Sequence, residues 1–127
     1  MEILMESVCS VECNFITTTR QALEFVRSIE RSNLHLVYDM YHEFMERQPL
    51  CGIEEAADEI RMVHAAQDAG KQRAYLSPDQ VEAFRAYWDA LQKVGYTGEW
   101  NIEAFVGDVS DELRSTMQVM DHIQAEN

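Results

Sequence analysis

The sequence predicts an α/β fold of four βα units with parallel strands, on three observations. Short apolar runs alternate with longer amphipathic ones along the whole chain, the pattern of strands each followed by a helix. No low-complexity tract, charge block or linker interrupts the alternation, so residues 1–127 are read as a single domain. Repeated β-then-α order makes the strands parallel, because each helix returns the chain to the same end of the sheet.

The first strand is expected over Glu2 to Val8. Thr18-Thr19-Arg20-Gln21 then has the Thr-x-x-Gln form of a capping box, and Ala22, Phe25, Val26 and Ile29 follow at helical spacing. Leu34 to Tyr38 reads as the second strand. Glu43 to Arg47 is helical until Pro49 and Gly52 break it, with a further short helix around Ile53 to Asp58. Ile60 to Ala65 is the third strand. Ser77-Pro78-Asp79-Gln80 supplies an N-cap, a proline at the first helical position and a glutamine after it, the clearest helix start in the chain. Val81, Phe84, Trp88, Leu91 and Val94 form one apolar stripe, which Gly95 is placed to end. The fourth strand is Glu99 to Phe105, and a closing helix runs from about Asp111 to Ile123.

With 127 residues, the chain is long enough for one packed core and about half the roughly 250 residues of a complete (β/α)8 barrel. Its net charge of −13 and ten scattered Lys and Arg leave no basic stripe to displace counterions, which excludes nucleic acid as a partner. Apolar runs of a few residues are too short to cross a membrane, and Met1 to Val8 lack the form of a signal peptide. The expected location is cytoplasmic. Cys9, Cys13 and Cys51 are odd in number and form no CxxC pair, so they are read as reduced thiols.

In a parallel sheet, function gathers at the C-terminal strand ends. Near each such end lies one metal-ligand type: Glu6, Asp39, His64 and Glu103. One acid at a strand end is ordinarily a solvated charge or a helix cap. Four consecutive strands each bringing one ligand is a different matter, because neighbouring strands are about 4.8 Å apart and inward side chains can converge on one cation. Three carboxylates and an imidazole form a mostly oxygen set suited to Mn2+, Mg2+ or Co2+.

The stretches ESVCSVECNF, YDMYH, VHAA and VGYTGEWNIEAF resemble the second half of the xylose isomerase-like sugar isomerase and epimerase superfamily. The most specific parts are the Asp-x-x-His of Asp39 and His42 and the Gly-Tyr-x-Gly-x-x-x-x-Glu of Gly95 to Glu103. This resemblance covers essentially the whole chain and implies half of a (β/α)8 TIM barrel. It implies Glu6, Asp39, His64 and Glu103 as metal ligands, Glu6 and Glu103 as acid and base, and His42 and Arg73 as contacts to substrate oxygens. The implied activity is a divalent-metal-dependent isomerase or epimerase acting on a sugar or sugar phosphate through an enediolate. The alternative is a non-catalytic metal-binding half-barrel. A half-barrel leaves sheet edges open, so a homodimer or a partner half-barrel is expected. Cys9 stands where these epimerases often carry Asn, and the loop between His64 and Arg73 is long. Tyr41, Tyr75 and Trp100 are expected to pack in the core or at the rim. The DNA-repair endonucleases of the superfamily carry an Asp-x-His after the third of these strands, which is absent here.

Overall fold

A computed structural model describes residues 1–105 and 108–125. Its sheet has four parallel strands in the order β1 (Ile3–Glu6), β2 (Leu34–Asp39), β3 (Ile60–Ala65) and β6 (Glu99–Ile102). Helix α1 (Thr19–Ile29) follows β1, while α2 (Met40–Met45) and α3 (Cys51–Ala56) follow β2. Between β3 and α4 (Val81–Lys93) lies a small antiparallel hairpin of β4 (Gln67–Asp68) and β5 (Arg73–Ala74), and α5 (Val109–Ala125) follows β6. The predicted α/β class with parallel strands is what the structure has, and the four strands lie side by side in chain order.

Several boundaries differ from the sequence reading, for identifiable reasons. Asp39 ends β2 and its side chain also caps α2 by accepting from the His42 N–H, so the helix starts at Met40 rather than Glu43. Gly52 lies inside α3 instead of breaking it. β1 and β6 are shorter than expected, and the two-residue strands of the hairpin are too short to leave a period in the sequence.

Thr18 caps α1 by accepting from Gln21 N–H. The reciprocal bond of the box, however, comes to the Gln21 side chain from Thr17 N–H at 2.8 Å. The Ser77-Pro78 start opens a 3-10 turn that leads into α4, and Gly95 ends that helix at φ +73°.

Alternate strand residues separate two faces. Met5, Leu36, Tyr38, Ile60, Val63, Ala65, Trp100 and Ile102 join the core under the helices, with Ala22, Leu23, Val26, Phe84, Trp88 and Leu91. Trp100 stacks at 4.9 Å between ring centroids with Trp88, a core role for this tryptophan. On α1, Arg20 and Arg27 both reach Glu55 of α3. At 100° per residue Phe25 and Ile29 fall on the opposite flank. They are 37% and 44% exposed, not core as the spacing suggested, and Leu23 takes their place. Val109, Leu113 and Met117, spaced four apart on α5, are likewise exposed.

The pairing of β2 with β3 contains a bulge. Leu36 pairs with Ile60 but Val37 pairs with Met62, so Arg61 is an extra residue. Its carbonyl accepts from the Tyr96 hydroxyl at 3.3 Å, and a Cβ on Gly98 would lie 2.8 Å from that same oxygen. Gly98→Ala therefore presses on backbone. We expect it to cost roughly 1–3 kcal/mol, seen as a lower thermal midpoint, whereas Gly52→Ala, with open space at its Cβ, leaves the midpoint unchanged or raised.

Candidate metal centre

Register and parity bring the four strand-end residues together. Glu6 is opposite Val37, Asp39 is opposite His64, and His64 is opposite Asn101. Asp39 lies two residues beyond Val37 and Glu103 two beyond Asn101, so all four share the sheet face that carries no helices. Glu103 lies just past β6, its N–H bonded to Ala65 O at 3.3 Å. One ligand atom from each of Glu6, Asp39, His64 and Glu103 lies within 4.8 Å of every other.

The atoms that converge are the ones left without hydrogen bonds. Glu6 Oε1, Asp39 Oδ2, His64 Nδ1 and Glu103 Oε2 are buried without a hydrogen-bond partner among the described residues. His64 Nδ1 is 3.0 Å from Glu103 Oε2, 3.5 Å from Glu6 Oε1 and 3.6 Å from Asp39 Oδ2. Buried unsatisfied oxygens facing one another are costly alone, and a divalent cation is the partner that would satisfy all of them. The donor set therefore fits a hard or borderline cation. Asp39 divides its oxygens, Oδ1 capping α2 and Oδ2 turned to the cluster.

Without a cation, the proton on His64 does part of this work. Asp39, then Glu6 and Glu103, push the His64 imidazole up to about 10. Burial pushes the Glu6 carboxyl up, but His64 and Asp39 beside it together outweigh burial and hold it below the usual carboxylate range.

His42 and Arg73 border the cluster. His42 is fully buried, and its Nδ1 accepts from Cys9 N–H at 3.1 Å. That bond assigns the hydrogen to Nε2, which faces Glu6 Oε1 at 3.6 Å and contacts Arg73 Nη2. Arg73 is held between the rings of Tyr41 and Phe105, at 5.2 and 5.5 Å from their centroids, and beside Glu12 Oε2 at 3.5 Å. Two donors thus point into one space, and an oxygen acceptor on a ligand would serve both. Glu12, Tyr41, Lys71, Gln72, Arg73 and Phe105 line a cavity of about 360 Å³ at this mouth.

Glu12 and the hairpin that delivers Arg73 are the parts the sequence reading did not assign. Glu12 sits in the β1–α1 loop with no periodic signal around it. Cys9 acts at the site through its backbone N–H, which any residue but proline supplies, so the departure from Asn leaves the contact to His42 intact. Cys9, Glu12 and His42 also gather within 4.8 Å. That trio is a poor ligand set, since His42 Nδ1 is engaged and burial pushes the Cys9 thiol up, away from thiolate.

Four parallel strands in chain order, each followed by helix and with polar residues gathered at their C-terminal ends, have the architecture of half a βα barrel. The chain belongs to the xylose isomerase-like TIM barrel family, whose model matches residues 1–125. It is 29% identical over 129 residues to a ketose 3-epimerase of Arthrobacter globiformis, spanning 100% of this chain and 43% of that one. An L-ribulose 3-epimerase of Mesorhizobium japonicum is 30% identical over 109 residues, 85% of this chain and 35% of its own. Among solved structures, a D-allulose 3-epimerase of Methylomonas sp. superposes with a TM-score of 0.82 at 22% identity, over 97% of this chain and 49% of that one. The chain thus spans less than half the length of these relatives.

A stability profile follows from the His64 proton. Its folded value lies above the ordinary 6.5, so its contribution is fully present below pH 6.5 and is lost as pH rises through about 10. In chelator, we expect the thermal midpoint of the parent chain to fall across that window relative to His64→Gln. Parallel profiles for the two would contradict it.

Proposed function

We propose that this chain is the metal-binding and proton-transferring half of a divalent-metal-dependent sugar or sugar-phosphate isomerase/epimerase acting through an enediolate. The observation that carries the proposal is the convergence of Glu6, Asp39, His64 and Glu103 with their buried, unpartnered atoms facing one another. Membership of the family and the ketose 3-epimerase relatives support the same reading. Mn2+, Mg2+ or Co2+ would be held by these four residues. Bound there, the cation would polarise the substrate's carbonyl and hydroxyl oxygens, making the proton beside the carbonyl acidic enough to remove.

The remaining work belongs to side chains. The two proton-transfer roles fall to Glu6, at the end of the first strand of the sheet, and Glu103, just past the last. One carboxylate removes the α proton and the other returns one. Return at the same carbon on the opposite face inverts it, and return at the neighbouring carbon isomerises the sugar. His42 Nε2–H and the Arg73 guanidinium donate to substrate oxygens, Arg73 fixed in direction by Tyr41, Phe105 and Glu12.

We further propose that a second half completes the enclosure, either another copy or a separate half-barrel. β1 and β6 each leave one edge unpaired among the described residues. The apolar flanks at Phe25 and Ile29 on α1 and at Val109, Leu113 and Met117 on α5 are then the surfaces for further helices. This incompleteness is also what favours the second reading, a half-barrel that binds metal without turnover.

Solvent deuterium decides between the two readings. With Mn2+, the chain, alone or co-expressed with an N-terminal half-barrel of the family, is expected to incorporate deuterium beside the carbonyl of a ketose. Glu6→Gln and Glu103→Gln should each lower incorporation by roughly 100-fold or more. Mn2+ binding with no exchange in either preparation supports the non-catalytic reading, and failure of the parent chain to bind Mn2+ rejects both.

A further inference from the structure

The segment between β1 and α1 carries Glu6 at its base and supplies the Cys9 N–H that fixes His42, yet it has almost no regular structure of its own. Its backbone is held partly by its own turns, with Val8 N–H donating to Ile16 O at 3.1 Å and Cys13 N–H to Cys9 O at 3.0 Å, and partly from outside, by the α2 region. Cys9 N–H donates to His42 Nδ1 at 3.1 Å and Ser10 N–H to Glu46 Oε1 at 2.5 Å. Between these two residues in sequence is Glu43, whose carboxylate no part of the proposed chemistry uses. Glu43 is 2% exposed. Its Oε1 accepts from Ser7 Oγ at 3.3 Å and from Thr19 N–H at 2.8 Å. Ser7 is the residue after Glu6 and is itself 1% exposed, and Thr19 is the first residue of α1. One carboxylate oxygen therefore gathers both ends of the loop.

We infer that Glu43 is a positioning residue for the metal centre: it closes the β1–α1 loop on α2 and so holds Glu6 at a set place relative to Asp39, which caps that same helix. The inference rests on the metal reading for its consequence and on geometry for its mechanism. Burial pushes the Glu43 carboxyl up, against the hydrogen bonds from Thr19 and Ser7. A buried acid is a poor space-filler, whereas an acceptor with two donors converging on it has a use. Outer partners that orient ligands in this way are worth roughly 10- to 100-fold in metal affinity.

The test compares Glu43→Met with Glu43→Gln in the full chain. Both fill the site, but only Gln offers an acceptor oxygen. Two readouts are taken: amide hydrogen exchange at Cys9, Ser10 and Thr19 in chelator, and Mn2+ affinity from the free-ion resonance signal. Glu43→Met is expected to speed exchange at those amides roughly tenfold or more and to weaken Mn2+ binding by roughly 10- to 100-fold. Glu43→Gln should recover most of both. Unchanged exchange in Glu43→Met overturns the inference, as does Mn2+ affinity equal to the parent's when Glu6→Gln has lost it. A parent chain that binds no Mn2+ sinks the metal reading instead, and the exchange data then decide on Glu43 alone. Should Glu43→Met not fold, Ser7→Ala removes one of the two donors with no buried charge disturbed. Faster exchange at Cys9 in that variant supports the clamp, and parent-like exchange overturns it.

Discussion

Side-chain parity across the four parallel strands is the constraint on which the centre depends. Glu6, Asp39, His64 and Glu103 can meet only if each occupies the helix-free face of its strand, and a slip of one residue in any strand turns its ligand into the core. β3 satisfies this through an irregularity. Were Arg61 paired in register instead of bulged, Asp39 would stand opposite Val63 and the imidazole of His64 would point toward the helices. The hydroxyl of Tyr96 and the bare α-carbon of Gly98 accommodate that bulge from the turn before β6. The Gly-Tyr-x-Gly stretch thus serves the placement of His64 as well as preceding Glu103.

Asp39 couples the sheet to the loops. One oxygen caps α2 and the other faces the cluster, so the position of this carboxylate and the start of the helix are a single event. From that helix and its C-cap, His42, Glu43 and Glu46 reach back over the loop that follows Glu6. Glu6 and Asp39 are therefore tied through hydrogen bonds as well as through strand pairing. His64 is placed by pairing and the bulge, and Glu103 by its backbone bond to Ala65 just beyond the last pair of strands.

Much of this was legible in the sequence because it is periodic or local. Alternating apolar runs marked the strands, Ser77-Pro78 and Gly95 bracketed α4, and a strand-end residue of ligand type recurred four times. What escaped was non-periodic or non-local. The bulge at Arg61 is visible only against its neighbouring strand, and the hairpin strands are two residues each. Asp39 hid the start of α2 because it belongs to both elements. Phe25 and Ile29 obey helical spacing, yet a helix at the margin of a sheet has two apolar faces, and spacing cannot say which one the chain itself covers. Glu43 resembles any helical glutamate until its burial and its two donors are known.

A cation site and an enclosed reaction chamber make different demands on a chain. The site needs four donor atoms within a few ångströms, and strands adjacent in one sheet provide them without help from elsewhere. Enclosure needs walls on every side, because proton transfer between two carboxylates is protected only where bulk water cannot compete for the proton. Here the face that bears the four converging residues is the one without helices, and Asn101 and Phe105 beside Glu103 are exposed. In the proposed function, holding the cation would thus be local to this sheet while turnover would need further walls, for which the exposed apolar flanks of α1 and α5 offer attachment.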